Sequence, residues 1–209
     1  MKRFFDIFIS CIVLLLFFPF GLMLMVAIFI ADPGPIFYKH ERIGKDGKKF
    51  LLWKFRTMRV HQPWDGGQIT LGSRDPRIFP LGYYLRLLKL DEFPQLLNVL
   101  KGDMSLVGPR PEVEKYVHLY TDEQKTVLTL LPGCTDISVV RGHLHDAALL
   151  DGQSKDPEEY YIETLMPQKL VHNLYYLHHQ SLFLDMKILV TTILLILGVC
   201  KNKQTTYNV

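Results

Sequence analysis

IFISCIVLLLFFPFGLMLMVAIFI, residues 7–30, runs for 24 residues without a charge and carries Pro19 near its middle. A straight helix of that length, rising about 1.5 Å per residue, would cross a hydrocarbon core of roughly 30 Å. Both flanks are basic, however: Lys2 and Arg3 precede the stretch, and Lys39, Arg42, Lys45, Lys48 and Lys49 follow it. Lys and Arg are retained on the cytoplasmic side, so the two ends favour the same side. Proline lacks an N–H and clashes with the carbonyl four residues earlier, which lets a helix kink and return. Phe18 and Pro19, with Phe20 and Gly21 behind them, therefore mark the break of a re-entrant helix-break-helix hairpin over residues 1–31. The competing reading is a single spanning helix, because membrane helices tolerate proline. A cleaved signal peptide fits less well, since the apolar stretch is long and no small-residue cleavage site follows it.

Residues 32–209 suffice for one packed core. The chain carries 24 Lys and Arg against 21 Asp and Glu, with much of the basic excess between residues 39 and 59. That distribution suits an anionic lipid surface or a phosphorylated substrate, and no nucleic-acid-binding module is recognisable. Cys11, Cys134 and Cys200 are odd in number and far apart, so neither a disulfide framework nor a zinc ribbon follows, and a reducing cytoplasmic setting is expected.

After the turn Asp32-Pro33-Gly34-Pro35, a hairpin is expected: strands at 36–39 and 50–55 around a reversal at Lys45-Asp46-Gly47-Lys48. Residues 59–80, rich in Gly and Pro, read as a mobile loop. Helical periodicity marks 81–88, then 93–101 capped by Gly102, then 111–131 stopped by Pro132-Gly133. The apolar stretch 188–200 is too short to span; with Leu182, Phe183 and Leu184 before it, residues 182–200 read as a last helix that lies in the membrane interface or against the hairpin, and a buried core helix is the alternative. The expected class is thus α+β: a monotopic membrane protein with a re-entrant hairpin, interfacial amphipathic helices and a small cytoplasmic catalytic domain over 32–209.

The chemistry concentrates in Arg86-Leu87-Leu88-Lys89-Leu90-Asp91-Glu92-Phe93-Pro94-Gln95 and in Gly108-Pro109-Arg110-Pro111. Proline favours a first helical turn, so Asp91 and Glu92 stand at or beside a helix N-terminus, where free N–H groups suit carboxylates and phosphate oxygens. Adjacent helical residues point about 100° apart, so one acid can attack while the other holds a metal or takes a proton. Taken alone, an Asp-Glu pair is usually a helix cap with a solvated neighbour. Lys54, Arg56, Arg86 and Arg110 change that balance: converging on one anion near a membrane segment, they suit phosphoryl transfer.

The ordered motifs resemble the small monotopic polyprenyl-phosphate phosphoglycosyl transferases, the bacterial sugar transferase family. They are Lys2-Arg3-Phe4-Phe5-Asp6, the proline-broken apolar stretch, Gly34-Pro35-Ile36-Phe37, Lys54-Phe55-Arg56-Thr57-Met58, Asp75-Pro76-Arg77, Leu90-Asp91-Glu92, residues 98–105, Gly108-Pro109-Arg110-Pro111, Pro132-Gly133, and Asp185 with Lys187. The resemblance implies transfer of a phospho-sugar from a UDP-sugar donor to a polyprenyl phosphate such as undecaprenyl phosphate, releasing UMP, at the cytoplasmic face of the bacterial inner membrane. It implies Asp91 as the nucleophile of a covalent aspartyl phospho-sugar intermediate, Mg²⁺ as cofactor held by Asp91 and Glu92, and Glu92 in metal positioning or proton removal. Membrane lipids are expected partners, and a homodimer is compatible.

Two positions depart from the family pattern. Phe18 stands where a serine often precedes the proline, and Cys134-Thr135-Asp136 leads to Arg141-Gly142-His143, with His143 at the place that aligns with an arginine of the family and Arg141 able to substitute for it. Arg141 and His143 are thus both candidates for binding donor. The competing functions are a membrane-tethered metallohydrolase built on His143 and His145, completed by His172, His178 or His179, and a non-catalytic scaffold for later glycosyltransferases.

Overall fold

A computed structural model describes residues 1–60, 75–143 and 156–199. Helix α1 (Lys2–Ala31) is long and apolar enough to cross a membrane by length and composition, and Pro19 lies inside it. The expected division into two helices at Phe18 and Pro19 is not what this element shows: helix is continuous through both residues. Proline removes one backbone bond of a helix, and the remaining turns sustain it. Phe18 is exposed, in keeping with a lipid-facing rather than a packed position.

The buried residues of α1 are Asp6, Ser10, Gly21, Leu24 and Ile28, a stripe at helical spacing along its whole length. Its other faces expose Phe4, Phe8, Leu15, Leu16, Met23, Val26 and Ile30. Toward its C-terminal end, Leu24 and Ile28 pack with Phe55, Phe79 and Leu85, and near its middle the Phe17 ring stacks on Phe93 at 3.7 Å between centroids. Toward its N-terminal end, Phe5, Ile9 and Leu14 pack against a second cluster that includes Val99, Met104, Val107, Tyr176 and Ile188.

The polar ends of α1 are tied to the same body. Lys2 Nζ donates to Asp185 Oδ2 at 2.6 Å and to the Val107 carbonyl at 3.0 Å. Arg3 donates to the carbonyls of Leu100 and Met104. Asp6, buried, accepts from Ser105 Oγ at 2.8 Å and from Leu106 N. At the other end, Arg56 donates to the Asp32 carboxylate and carbonyl and to the Pro35 carbonyl.

Strands β1 (Phe37–Ile43) and β2 (Lys49–Phe55) form the expected antiparallel hairpin, with Tyr38 opposite Lys54 and Lys39 opposite Trp53. A 3-10 turn, Lys45–Gly47, reverses the chain, with Asp46 and Gly47 both at positive φ. The loop expected at 59–80 is closed at its base: Met58 bridges Ile78, and Arg59 N donates to the Arg77 carbonyl. Its residues 61–74 lie outside the described residues.

Helix α2 (Pro80–Leu87) begins on a proline at its first turn. A 3-10 turn, Leu90–Glu92, leads through Phe93 and Pro94 into α3 (Gln95–Lys101), which Gly102 closes at φ 99°. Short strands β3 (Ser105–Val107) and β4 (Gly133–Thr135) pair in parallel. Gly108 and Gly133 meet there so closely that a Cβ on Gly133 would lie 2.1 Å from Gly108 N.

The single helix expected over 111–131 is instead α4 (Glu114–Val117), α5 (Asp122–Lys125) and a 3-10 turn, Thr126–Thr129. The interruption has a local cause, because the Thr121 hydroxyl accepts from Gln124 N while the Gln124 side chain returns to Thr121 N, a capping box that starts a new helix. After a π-helical turn, Val139–His143, the described chain resumes with α6 (Pro157–Tyr160). A second π-turn (Tyr161–Leu165) leads into α7 (Met166–His179), and α8 (Leu182–Ile196) follows. Helix α8 buries Asp185 and Ile188 and exposes Leu182, Phe183, Met186, Val190 and Ile193. The fold is therefore mixed helix and sheet, with a long apolar N-terminal helix.

Candidate active site

The acidic pair sits where two features of the sequence meet. Lys89, at φ 56°, takes the left-handed conformation that a side chain rarely adopts, and so turns the chain between α2 and the 3-10 turn that carries Asp91 and Glu92. Pro94 then starts α3. The two carboxylates leave this turn in different environments.

Glu92 is the hub of a cation cluster. Its Oε1 accepts from Arg110 Nη2 at 2.6 Å and from Lys54 Nζ at 3.0 Å, and its Oε2 accepts from Gln95 Nε2 at 3.2 Å and Arg110 Nη1 at 3.4 Å. Burial by itself would push this carboxyl up, but Arg110, Lys54 and Lys89 outweigh it and hold Glu92 well below the usual carboxylate range. Lys54 comes from β2, and Arg110 from the Gly108-Pro109-Arg110-Pro111 segment that leaves β3. Arg110 also borders a concavity behind the cluster, lined by Glu112, Tyr120, Leu130, Leu170 and Asn173.

Asp91 is buried, and its Oδ1 has no hydrogen-bond partner among the described residues. Burial pushes its carboxyl up, and the neighbouring Glu92 adds to that, while Lys54, Lys89 and Arg86 oppose it. A buried carboxylate oxygen without a partner is costly in a folded protein, so packing alone does not account for it. The half-buried Arg86 lies in the field of Asp91, Asp75 and Glu92; burial lowers its pKa, yet a guanidinium remains charged.

Lys54 and Arg110 thus meet at Glu92, and Arg86 stands close to Asp91. Arg56 is placed differently: it is buried on Asp32 and Pro35, where the chain leaves α1, and it does not bond to either acid. Strand β2 ends at Phe55, so the alternation that would have put Arg56 beside Lys54 stops one residue short. Arg141 and His143 lie on the π-helical turn after β4, which packs against α8. His145 lies outside the described residues, and among the described residues no group of three or more His, Cys, Asp or Glu is arranged to hold a metal ion. Lys89 and Gln95 were not singled out from the sequence. Gln95 carried a signal in its spacing, three residues after Glu92 on a helical turn.

A helical and sheet domain seated on a long apolar helix, with a buried carboxylate beside a carboxylate neutralised by arginine and lysine, defines a membrane-associated enzyme that handles anionic substrates. The model of the family described as bacterial sugar transferase matches residues 1–198, and the chain belongs to that family. It is similar to the exopolysaccharide production protein ExoY of Rhizobium meliloti (strain 1021), with 38% identity over 157 residues, 68% of this chain and 69% of the relative. It is also similar to a UDP-glucose:undecaprenyl-phosphate glucose-1-phosphate transferase of Caulobacter vibrioides, with 35% identity over 196 residues, 92% of this chain and 68% of the relative. A third relative is the UDP-N-acetylgalactosamine-undecaprenyl-phosphate N-acetylgalactosaminephosphotransferase of Aeromonas hydrophila, 35% identical over 197 residues. That match takes in 94% of this chain and spans 43% of the relative's length.

Proposed function

We propose that this chain is a phosphoglycosyl transferase that moves a sugar 1-phosphate from a UDP-sugar to a polyprenyl phosphate, with Asp91 as nucleophile. The observation that carries the reading is the buried Asp91 Oδ1, without a partner among the described residues, beside the Glu92, Arg110 and Lys54 cluster. In the first step an Asp91 oxygen bonds to the phosphorus next to the sugar, and the bond to the uridine-side oxygen breaks, releasing UMP. In the second step an oxygen of the lipid phosphate bonds to the same phosphorus, and the Asp91 carboxylate leaves. The covalent route spares the site from holding two bulky anions at once.

Burial raises the proton affinity of Asp91 and with it the strength of the carboxylate as a nucleophile. Glu92, held ionised by its cations, is a weak base at neutral pH, and its role is to set Arg110 and Lys54 in place toward phosphate oxygens. Lys89 and Arg86 add positive potential where negative charge gathers. Magnesium ions favour one or two carboxylates completed by substrate phosphates, and the unpartnered oxygen of Asp91 beside Glu92 fits that demand. When bound, Mg²⁺ supplies neutralisation of the diphosphate and of the departing UMP.

The same reading places the chain on the cytoplasmic face of the cell membrane as a monotopic protein. Its support is that Lys2, Arg3 and Asp6 at one end of α1, and Asp32 at the other, all bond to the domain carrying Asp91. A span that carried Lys2 to the far side would break the first set. Cysteines introduced near Lys2 and near Lys39 should both label from the cytoplasmic side only; labelling of the Lys2 end from outside overturns the topology. For the activity, purified protein is given undecaprenyl phosphate, Mg²⁺ and a panel of UDP-sugars. UMP release with one or a few donors is the expected result, and none with any donor contradicts it.

A further inference from the structure

Trp53 gathers two lysines. Lys39, its cross-strand partner, holds Nζ 4.1 Å from the ring centroid, and Lys101, the last residue of α3, holds Nζ 5.1 Å from it. Both side chains are exposed, and among the described residues neither forms an ion pair with a carboxylate. An ammonium held on an aromatic face is partly stripped of water by the ring and keeps its remaining N–H groups for an anion. Successive strand residues point to opposite faces, so this cluster lies on the face of the hairpin away from Lys54 and Glu92. Its place in the molecule is set by Arg3, which donates to the Leu100 carbonyl one residue before Lys101. The next residue of α1, Phe4, begins the exposed apolar face, and its ring stacks on that of Phe8. An indole with paired lysines at the edge of an apolar face has the composition of a membrane-water boundary.

We propose that Lys39, Trp53 and Lys101 form a seat for the phosphate of an anionic phospholipid headgroup, distinct from the carboxylate site. The proposal rests on the seating of α1 in the bilayer. Each lysine near an anionic surface is worth a change of about fivefold in lipid preference.

The chain has two tryptophans. Trp64→Phe makes Trp53 the sole reporter, and the full chain is placed in phosphatidylcholine nanodiscs containing brominated phosphatidylglycerol or, separately, brominated phosphatidylcholine. Quenching of Trp53 is expected with both lipids and stronger with phosphatidylglycerol, and Lys39→Gln with Lys101→Gln should remove the excess while leaving the rest. Equal quenching by the two lipids overturns the headgroup seat and leaves the membrane seating standing. Absence of quenching by either overturns the seating as well. If undecaprenyl phosphate displaces the excess ahead of phosphatidylglycerol, the cluster belongs to the acceptor and the proposal fails. A second measurement needs no Trp64 substitution: native mass spectrometry of lipids retained from mixed nanodiscs. The ratio of retained phosphatidylglycerol to phosphatidylcholine should fall about fivefold for each lysine removed, and an unchanged ratio refutes the seat.

Discussion

Replacing Arg110 with methionine removes the guanidinium while keeping an unbranched side chain, and its cost follows from the geometry around Glu92. Among the described residues Arg110 supplies two of the four hydrogen bonds to that carboxylate, and the Glu92 side chain is only 12% exposed. Breaking a buried ion pair by removing one partner costs about 3–5 kcal/mol. Here Lys54 and Gln95 remain, and the Arg110 side chain is 28% exposed, so the expectation drops to about 2 kcal/mol. For a chain of this size that corresponds to a fall in Tm of about 4–8 °C. Glu92 is depressed in the folded state, so its contribution is complete above the unfolded carboxyl value of about 4.3 and is lost as pH falls toward the folded value. Thermal unfolding of wild type and Arg110→Met in detergent micelles should therefore differ fully at pH 7 and converge below about pH 4.3. A difference that is the same at neutral and acid pH, or a Tm unchanged at neutral pH, would refute the assignment of Arg110 as the principal partner of Glu92.

Asn98 is fully buried, and its side chain accepts from Trp53 N at 3.0 Å and donates to the Leu51 carbonyl at 2.8 Å and to Asp103. Asn98→Ala strands two backbone groups of β2 and should cost about 2–4 kcal/mol by denaturant unfolding; a loss below about 1 kcal/mol shows that water replaces the amide. His40 has its pKa lowered from 6.5 to about 4, first by burial and then by Arg42 and Lys54. Because the unfolded chain then binds the extra proton, stability should hold above about pH 6.5 and decline toward pH 4, and His40→Asn should flatten that decline. Parallel curves for the two proteins exclude His40 as its source.

The sequence carries its local geometry well. Asp46-Gly47 announces the β1–β2 reversal, and Gly102 announces the end of α3 through its left-handed conformation. Long-range pairing is less legible. That Lys54 meets Arg110 at Glu92 depends on β2 lying beside the turn before α3, which no spacing reveals, whereas Arg56, two residues along, is captured by Asp32. Residues 111–131 misled for a different reason. Val113, Tyr116, Tyr120 and Val127 recur at helical intervals and do pack together, but the capping box at Thr121 divides the segment without disturbing that pattern. Pro19 likewise reads as a break while the helix continues through it, because a residue's tendency to interrupt is weighed against all the bonds around it. The Lys2-Arg3-Phe4-Phe5-Asp6 motif gains a meaning only in three dimensions, where its polar members bind α3, β3 and Asp185.

The role of Asp91 as nucleophile is tested most directly by intact-protein mass spectrometry after incubation with the accepted UDP-sugar and Mg²⁺ in the absence of lipid acceptor. Wild type should gain the mass of one sugar phosphate, mapped to Asp91 by peptide analysis, and Glu92→Gln should still be able to form it. Asp91→Asn, nearly the same shape but unable to displace UMP, should form no adduct and transfer no sugar while unfolding at a Tm no lower than wild type. Full transfer by purified Asp91→Asn, with deamidation excluded, or an adduct mapped to another residue, would contradict the account.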